Sequence, residues 1–274
     1  MNSTEETKPK RIVVKVGTNV MTNRDNRILG PVLRNLASQI AELYDEDIMT
    51  ILVSSGSVIA GKEVLDENTI EDIENPTIRR QVYSAVGQPR MMRHYYSIFH
   101  DFGMRCGQVL ATKRDFAPGK YRENLVNCFE GLLSKGIVPI ANEDDAVSLS
   151  MSMFTDNDEL ASLVAELLNA DMLILLTDID GLYTGHPDEP GSRLLNHVTP
   201  DQPVEKYIQE NEKADGEGRG GMESKLGVAK STAAKNIPTF IANGKQDRVI
   251  LDIVEGKEVG TKFTNDSEVN PKKD

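Results

Sequence analysis

Short runs of Val, Ile and Leu recur along this chain without polar–apolar alternation, and longer amphipathic stretches separate them. A strand that is apolar on both faces must be covered on both faces. That restricts the fold to a mainly parallel sheet with helices on either side. The candidate strands are 12–16, 50–53, 107–111, 137–141, 172–176, 239–242 and 248–251. Helical periodicity between them predicts helices near 31–44, 77–101, 121–135, 157–169 and 222–235. Leu125, Phe129, Leu132 and Leu133 form the apolar stripe of the third, and Met222, Leu226, Ala229 and Ala233 that of the last. The expected fold class is α/β, a three-layer α/β/α sandwich around a mainly parallel central sheet. The segment 181–221 holds Pro187, Pro190, Pro200, Pro203 and an acidic run at 210–217. It is expected to be a hairpin-like excursion followed by a mobile loop, not a separate domain. The polar ends, 1–10 and 264–274, are expected to be disordered tails around one domain at 11–263.

Composition excludes several classes of function. The net charge of −12 comes without any stripe of Lys and Arg, which argues against nucleic acid as a partner. The only cysteines are Cys106 and Cys128, whose spacing fits neither a disulfide framework nor a metal-binding pair. The four histidines are scattered, so no dedicated metal site is expected. No apolar run approaches the roughly 20 residues that a spanning helix needs, and the N-terminus lacks a signal peptide's apolar core. A cytoplasmic location follows as the expectation, with no membrane partner.

Two lysines carry the strongest chemical signal. Lys15 lies inside the apolar run Val13-Val14-Lys15-Val16, where burial is costly unless an anion meets the ammonium. It could instead snorkel from the strand end. Lys225 follows the glycine-rich stretch Gly218-Arg219-Gly220-Gly221-Met222, and such loops leave N–H groups free to cradle anions. Its bland alternative is a surface lysine on an amphipathic helix. No P-loop is present, and no Gly-x-Gly-x-x-Gly follows the first strand, which disfavours a dinucleotide site there. Ser54-Ser55-Gly56-Ser57 follows a strand, at the end where open α/β sheets bind ligands, although an ordinary tight turn would read the same. Asn142-Glu143-Asp144-Asp145 follows another strand and suits an ammonium group, a metal, or plain solvation. Thr155 with Asp158 has the spacing of a capping box, while Asp156 or Asp158 could also orient a lysine. Taken together, the lysines suggest phosphoryl transfer.

The order of these motifs is more specific than any one of them. Val14-Lys15-Val16-Gly17, Ser54-Ser55-Gly56, Ala85-Val86-Gly87-Gln88, Asn142-Glu143-Asp144-Asp145-Ala146-Val147, Asp156-Asn157-Asp158, Thr177-Asp178 with Gly181-Leu182-Tyr183-Thr184, and Gly220-Gly221-Met222 with Lys225 resemble the amino acid kinase family. The resemblance runs over roughly residues 11–263 and is strongest to the members that phosphorylate glutamate. It implies transfer of the γ-phosphoryl group of ATP, carried with Mg²⁺, to the side-chain carboxylate of L-glutamate. That is the first step towards proline. The catalytic residues it implies are Lys15, Lys225, Asp158 and Asp156. Ser55, Gly56, Asn142, Asp145 and Asn157 would bind glutamate. Lys15, Gly17, Thr177, Asp178, Gly218, Arg219, Gly220, Gly221, Met222 and Lys225 would bind the nucleotide. It further implies a homo-oligomer and inhibition by proline, without the PUA domain appended to many bacterial members. The predicted helix at 77–101, with Met91, Met92, Tyr95, Ile98 and Phe99, could form an interface or pack internally. Departures from the family pattern are Asn19 for Ser, Asp144 for Asn, Thr155 for Gly, and Arg219 and Ser224 for Thr. They put the choice of acceptor in question more than the reaction, so acetylglutamate, aspartate or a non-catalytic sensor remain the alternatives.

Overall fold

The computed structural model describes residues 8–23, 25, 27–148, 154–187, 189–208 and 221–265. Its strands are β1 (Arg11–Val16), β2 (Met49–Ser54), β3 (Arg105–Ala111), β4 (Ile137–Glu143), β5 (Met172–Thr177), β6 (His197–Val198), β7 (Thr239–Asn243) and β8 (Thr261–Phe263). They form one sheet in the order β3-β4-β2-β1-β5-β7-β8-β6. Every adjacent pair is parallel except β7 with β8. The helices are α1 (Thr18–Met21), α2 (Gly30–Asp45), α3 (Ser57–Lys62), α4 (Pro76–Asp101), α5 (Lys120–Leu133), α6 (Asn157–Leu167), α7 (Met222–Ala234) and α8 (Val249–Val254).

The pleat of β1 distributes the core. Ile12, Val14 and Val16 pack with α2, α4 and α8 on one face, whereas Val13 packs with α5, α6 and α7 on the other. Lys15 shares the register of Val13, so its side chain leaves the sheet on the side of α6 and α7. The three layers expected from the apolar runs are therefore present, and β1 lies in the middle of them.

Helices α3 and α4 pack with almost no separation. A Cβ on Gly87 would fall 1.7 Å from the Ser57 carbonyl oxygen, and one on Gly61 would fall 1.9 Å from that of Tyr83. Only glycine permits this approach, which explains the glycine of the Ala-Val-Gly-Gln motif. Met91, Met92, Tyr95, Ile98 and Phe99 are buried in the core of this chain, which favours the internal-packing reading of 77–101.

Some expectations are corrected. Residues 248–251 are not a strand. Val249, Ile250, Leu251 and Ile253 are buried in α8, and Gln39 accepts the N–H of Ile250 at 2.8 Å. A short apolar run reads the same for a buried strand and a buried helix. The hairpin begins as expected, with Thr184 N–H to Arg193 O at 2.9 Å and Leu195 N–H to Leu182 O at 2.8 Å. It then returns to the sheet edge as β6. The stretch expected to be a mobile loop, with its acidic run at 210–217, lies outside the described residues, as do most of the expected tails. Lys10 is fixed, since its N–H and that of Arg11 both donate to Asp171 Oδ2, at 2.7 and 2.9 Å. Among the described residues, no helix is long and apolar enough to cross a membrane.

Candidate active site

Parallel strands end together, so β1, β2, β4 and β5 deliver Gly17, Ser55, Asp144 and Asp178 to one edge of the sheet. The centre of that edge is a buried trio. Asp158, fully buried in the first turn of α6, pairs with Lys15 Nζ through Oδ1 at 2.7 Å and with Lys225 Nζ through Oδ2 at 3.0 Å. Both lysines are more than nine-tenths buried. Burial pushes the Lys15 ammonium below its ordinary value and nearby Lys225 adds to this, while Asp158 opposes it. Burial alone would raise the Asp158 carboxyl, but the two ammonium groups outweigh it and hold the group below its ordinary range. Two cations around one anion leave a net positive charge in a dry site, poised for a polyanion.

The helix ends are organised around this trio. Asp156, not Thr155, caps α6. Its Oδ1 accepts the N–H groups of Asp158 and Glu159 at 2.9 and 3.0 Å. Glu159 reaches back to the N–H of Thr155 at 2.8 Å. The capping box expected between Thr155 and Asp158 is thus replaced, because Asp158 is spent on the lysines. The other oxygen of Asp156 accepts the Ser224 hydroxyl, tying α6 to the first turn of α7. Ser224 therefore has a structural task where the family pattern has Thr.

On the β5 side, Gly17 N–H donates to Leu176 O at 3.2 Å. A Cβ on Gly17 would fall 3.2 Å from that oxygen, a tight approach to backbone, and 3.6 Å from Lys15 Nζ, an ordinary contact distance. Thr177 is buried and its hydroxyl donates to Asp178 at 3.3 Å. Gly221 caps α7 without a side chain, leaving first-turn N–H groups unspent by a capping residue, and Met222 packs on the core beneath. Gly218, Arg219 and Gly220 lie outside the described residues. Sequence reasoning missed Asp180, which accepts from Asn243 Nδ2 at 2.9 Å and Gln246 Nε2 at 2.8 Å and joins the ends of β5 and β7.

On the β2 side, Asn157 Nδ2 lies within hydrogen-bonding range of Ser54 O, Ser55 Oγ and Asn142 Oδ1, at 3.0, 3.0 and 2.9 Å. Gly56 adopts φ 96°, a left-handed turn that starts α3. Asp145 is buried further out. It accepts from Ser84 at 2.8 Å and Ser57 at 3.4 Å, and from Arg80 at 2.8 and 3.1 Å. Burial and then the charge of Asp145 raise the Glu143 carboxyl above its ordinary value. Asp144 lies beside this cluster and accepts the N–H of Ala146 at 3.3 Å. Sequence reasoning flagged Ser57 only as part of the turn after β2 and did not single out Arg80 or Ser84, since a charge or small polar residue on a helix reads as solvated.

Comparison with known proteins agrees with this layout. The model of the amino acid kinase family matches residues 10–243. A glutamate 5-kinase of Bacteroides thetaiotaomicron is 38% identical over 261 residues, spanning 94% of this chain and 71% of the relative. A glutamate 5-kinase of Symbiobacterium thermophilum is 35% identical over 258 residues, spanning 94% of this chain and 97% of the relative. Among solved structures, the UMP kinase of Bacillus anthracis superposes with a TM-score of 0.64 over 95% of this chain and 98% of its own, at 15% identity, which speaks for the fold alone. The chain belongs to the amino acid kinase family.

Proposed function

We propose that this chain transfers the γ-phosphoryl group of MgATP to the side-chain carboxylate of L-glutamate, giving glutamyl 5-phosphate and ADP, the activity of a glutamate 5-kinase. The observation that carries the reading is the buried Lys15–Asp158–Lys225 trio at the carboxyl edge of the sheet, beside the Asn157–Ser55–Asn142 cluster. Relatives named glutamate 5-kinase along nearly the whole chain supply the acceptor.

The chemistry needs little beyond position and charge. A glutamate side chain, with a pKa near 4.3, is already an anionic nucleophile at neutral pH. One of its oxygens forms a bond to the γ-phosphorus as the bond from that phosphorus to the β–γ bridging oxygen breaks, and ADP leaves with the electron pair. No proton moves, so no general base is called for. Lys15 and Lys225 offset the charge on the migrating group, each worth roughly 10²–10³ in rate by analogy with single oxyanion donors. Asp158 holds the two ammonium groups at fixed positions, and Asp156 holds the helix that carries Asp158. Both Asp158 oxygens are spent on ammonium groups, so Mg²⁺ would ride on the phosphate oxygens. Gly17, Thr177, Asp178 and the stretch from Gly218 to Met222 would receive the nucleotide. Ser55, Gly56, Asn142 and Asn157 would hold the reacting carboxylate, and Asp145 the α-ammonium group.

The same reading places the reaction in the cytoplasm, where Cys106 and Cys128 remain free thiols. Inhibition by proline and homo-oligomerisation go with it. The test is an acceptor panel of L-glutamate, N-acetylglutamate and L-aspartate with MgATP and hydroxylamine to trap acyl phosphate. Hydroxamate from glutamate alone is the expected result, and hydroxamate from N-acetylglutamate but not glutamate would overturn the acceptor.

A further inference from the structure

Arg80 stands between a buried carboxylate and an open cavity. Its Nε and Nη2 both donate to Asp145 Oδ1, at 3.1 and 2.8 Å. The other oxygen of Asp145 already has the hydroxyls of Ser84 and Ser57. Arg80 also lines a cavity of about 520 Å³ with Val58, Lys62, Asn68, Glu71, Pro76 and Tyr83, in which the basic side chains outnumber the one acid. That volume is within the ordinary range for small-molecule pockets. Arg79 lines the same cavity but donates its Nε and Nη2 to the carbonyls of Ile73 and Glu71, so it fastens the loop instead. Among the described residues, Nη1 of Arg80 makes no hydrogen bond to protein. A planar guanidinium can grip Asp145 along one edge and still offer its Nη1–Nη2 edge as a bidentate fork.

A carboxylate and a guanidinium in contact form a dipole complementary to the zwitterion of an α-amino acid, whose ammonium and carboxylate share one carbon. A pure counter-ion for Asp145 would not need to face a cavity. Resting on the proposed acceptor, we infer that Arg80 binds the α-carboxylate of glutamate while Asp145 takes the α-ammonium group, making Arg80 a specificity-determining residue. Arg80 is a third exposed on its side chain, so it can meet the α-carboxylate at the rim while it holds Asp145. Acceptors that carry both α-groups would then be favoured over those that lack the carboxylate.

The experiment compares the KM for L-glutamate with the competitive Ki of 4-aminobutyrate, which keeps the ammonium and the reacting carboxylate but lacks the α-carboxylate. It is run on wild type, Arg80→Gln and Arg80→Lys. Charge-assisted hydrogen bonds are worth ~10–100-fold in affinity, so Arg80→Gln should raise the glutamate KM relative to the 4-aminobutyrate Ki by about that factor, whatever change through Asp145 the two constants share. Arg80→Lys, which keeps the charge but not the fork, should fall between. If both constants rise by one factor, Arg80 acts only by holding Asp145 and the inference is wrong. It is equally wrong if neither constant moves. A wild type that forms no product from glutamate would refute the acceptor itself, and the inference with it.

Discussion

Replacing Asp158 by Asn removes one charge and almost no volume, so the substitution isolates the electrostatics of the buried trio. At an effective dielectric constant near 20, an ion pair at 2.7–3.0 Å attracts by about 6 kcal/mol before desolvation and the repulsion between the lysines are subtracted. Removing one member of a buried pair typically costs ~3–5 kcal/mol, because the remaining charge stays buried. Here two ammonium groups would remain, and the amide offers a carbonyl to only one of them. The loss should be largest near neutral pH. Asp158 is held below its ordinary 3.8, so the stability it gives wild type is full above that value and disappears as pH falls through the depressed one. In the variant, Lys15 loses the carboxylate that kept its already lowered pKa from falling further. Its folded form then binds fewer protons than its unfolded form, so the variant gains stability as pH rises towards 10.5. Urea denaturation from pH 3 to pH 10 should therefore show a gap between the two proteins that peaks in the middle and narrows at both ends. A gap below about 1 kcal/mol at pH 7, the scale of an exposed ion pair, would refute the claim that Asp158 organises the site.

Two further outcomes rest on particular atoms. Gly87→Ala would drive a Cβ into the Ser57 carbonyl and the Gly61 nitrogen, both backbone, so α3 must move off α4 at a cost of about 1–3 kcal/mol or more. Calorimetry should show a lower Tm, and kinetics a glutamate KM raised more than the ATP KM, since Ser57 and Ser84 hold Asp145; equal Tm values would count against the close packing. Rate measured against pH should fall on the alkaline side below the ordinary lysine value of 10.5, because burial lowers Lys15 and its charged form is the active one. Lys15→Arg should retain residual activity without that limb, and a limb that persists would assign it to another group.

The central strands were legible because β1, β2, β4 and β5 are buried on both faces and carry no alternation to confuse. The two-residue β6 and three-residue β8 were not, since strands so short exist only through their partners. At the site, local sequence left Lys15 open between an anion ligand and a snorkelling end, and Asp158 between a cap and a lysine partner. Only the sheet settles this, by bringing β1, α6 and α7 together from distant parts of the chain. Asp156 turned out to cap α6, which freed Asp158 for the lysines. Arg80 was invisible for a different reason. Its role depends on α4 being pinned against α3 through Gly61 and Gly87, and on Asp145 arriving from beyond β4.

The most direct test of the central claim is hydroxamate-trapped acyl phosphate from MgATP and L-glutamate, measured on wild type and on Lys225→Ala. Trapped product is expected from wild type, with a drop of roughly 10²–10³ in the variant and its fold retained. Equal rates in the two proteins would contradict the assignment of the buried lysines to the migrating phosphoryl group.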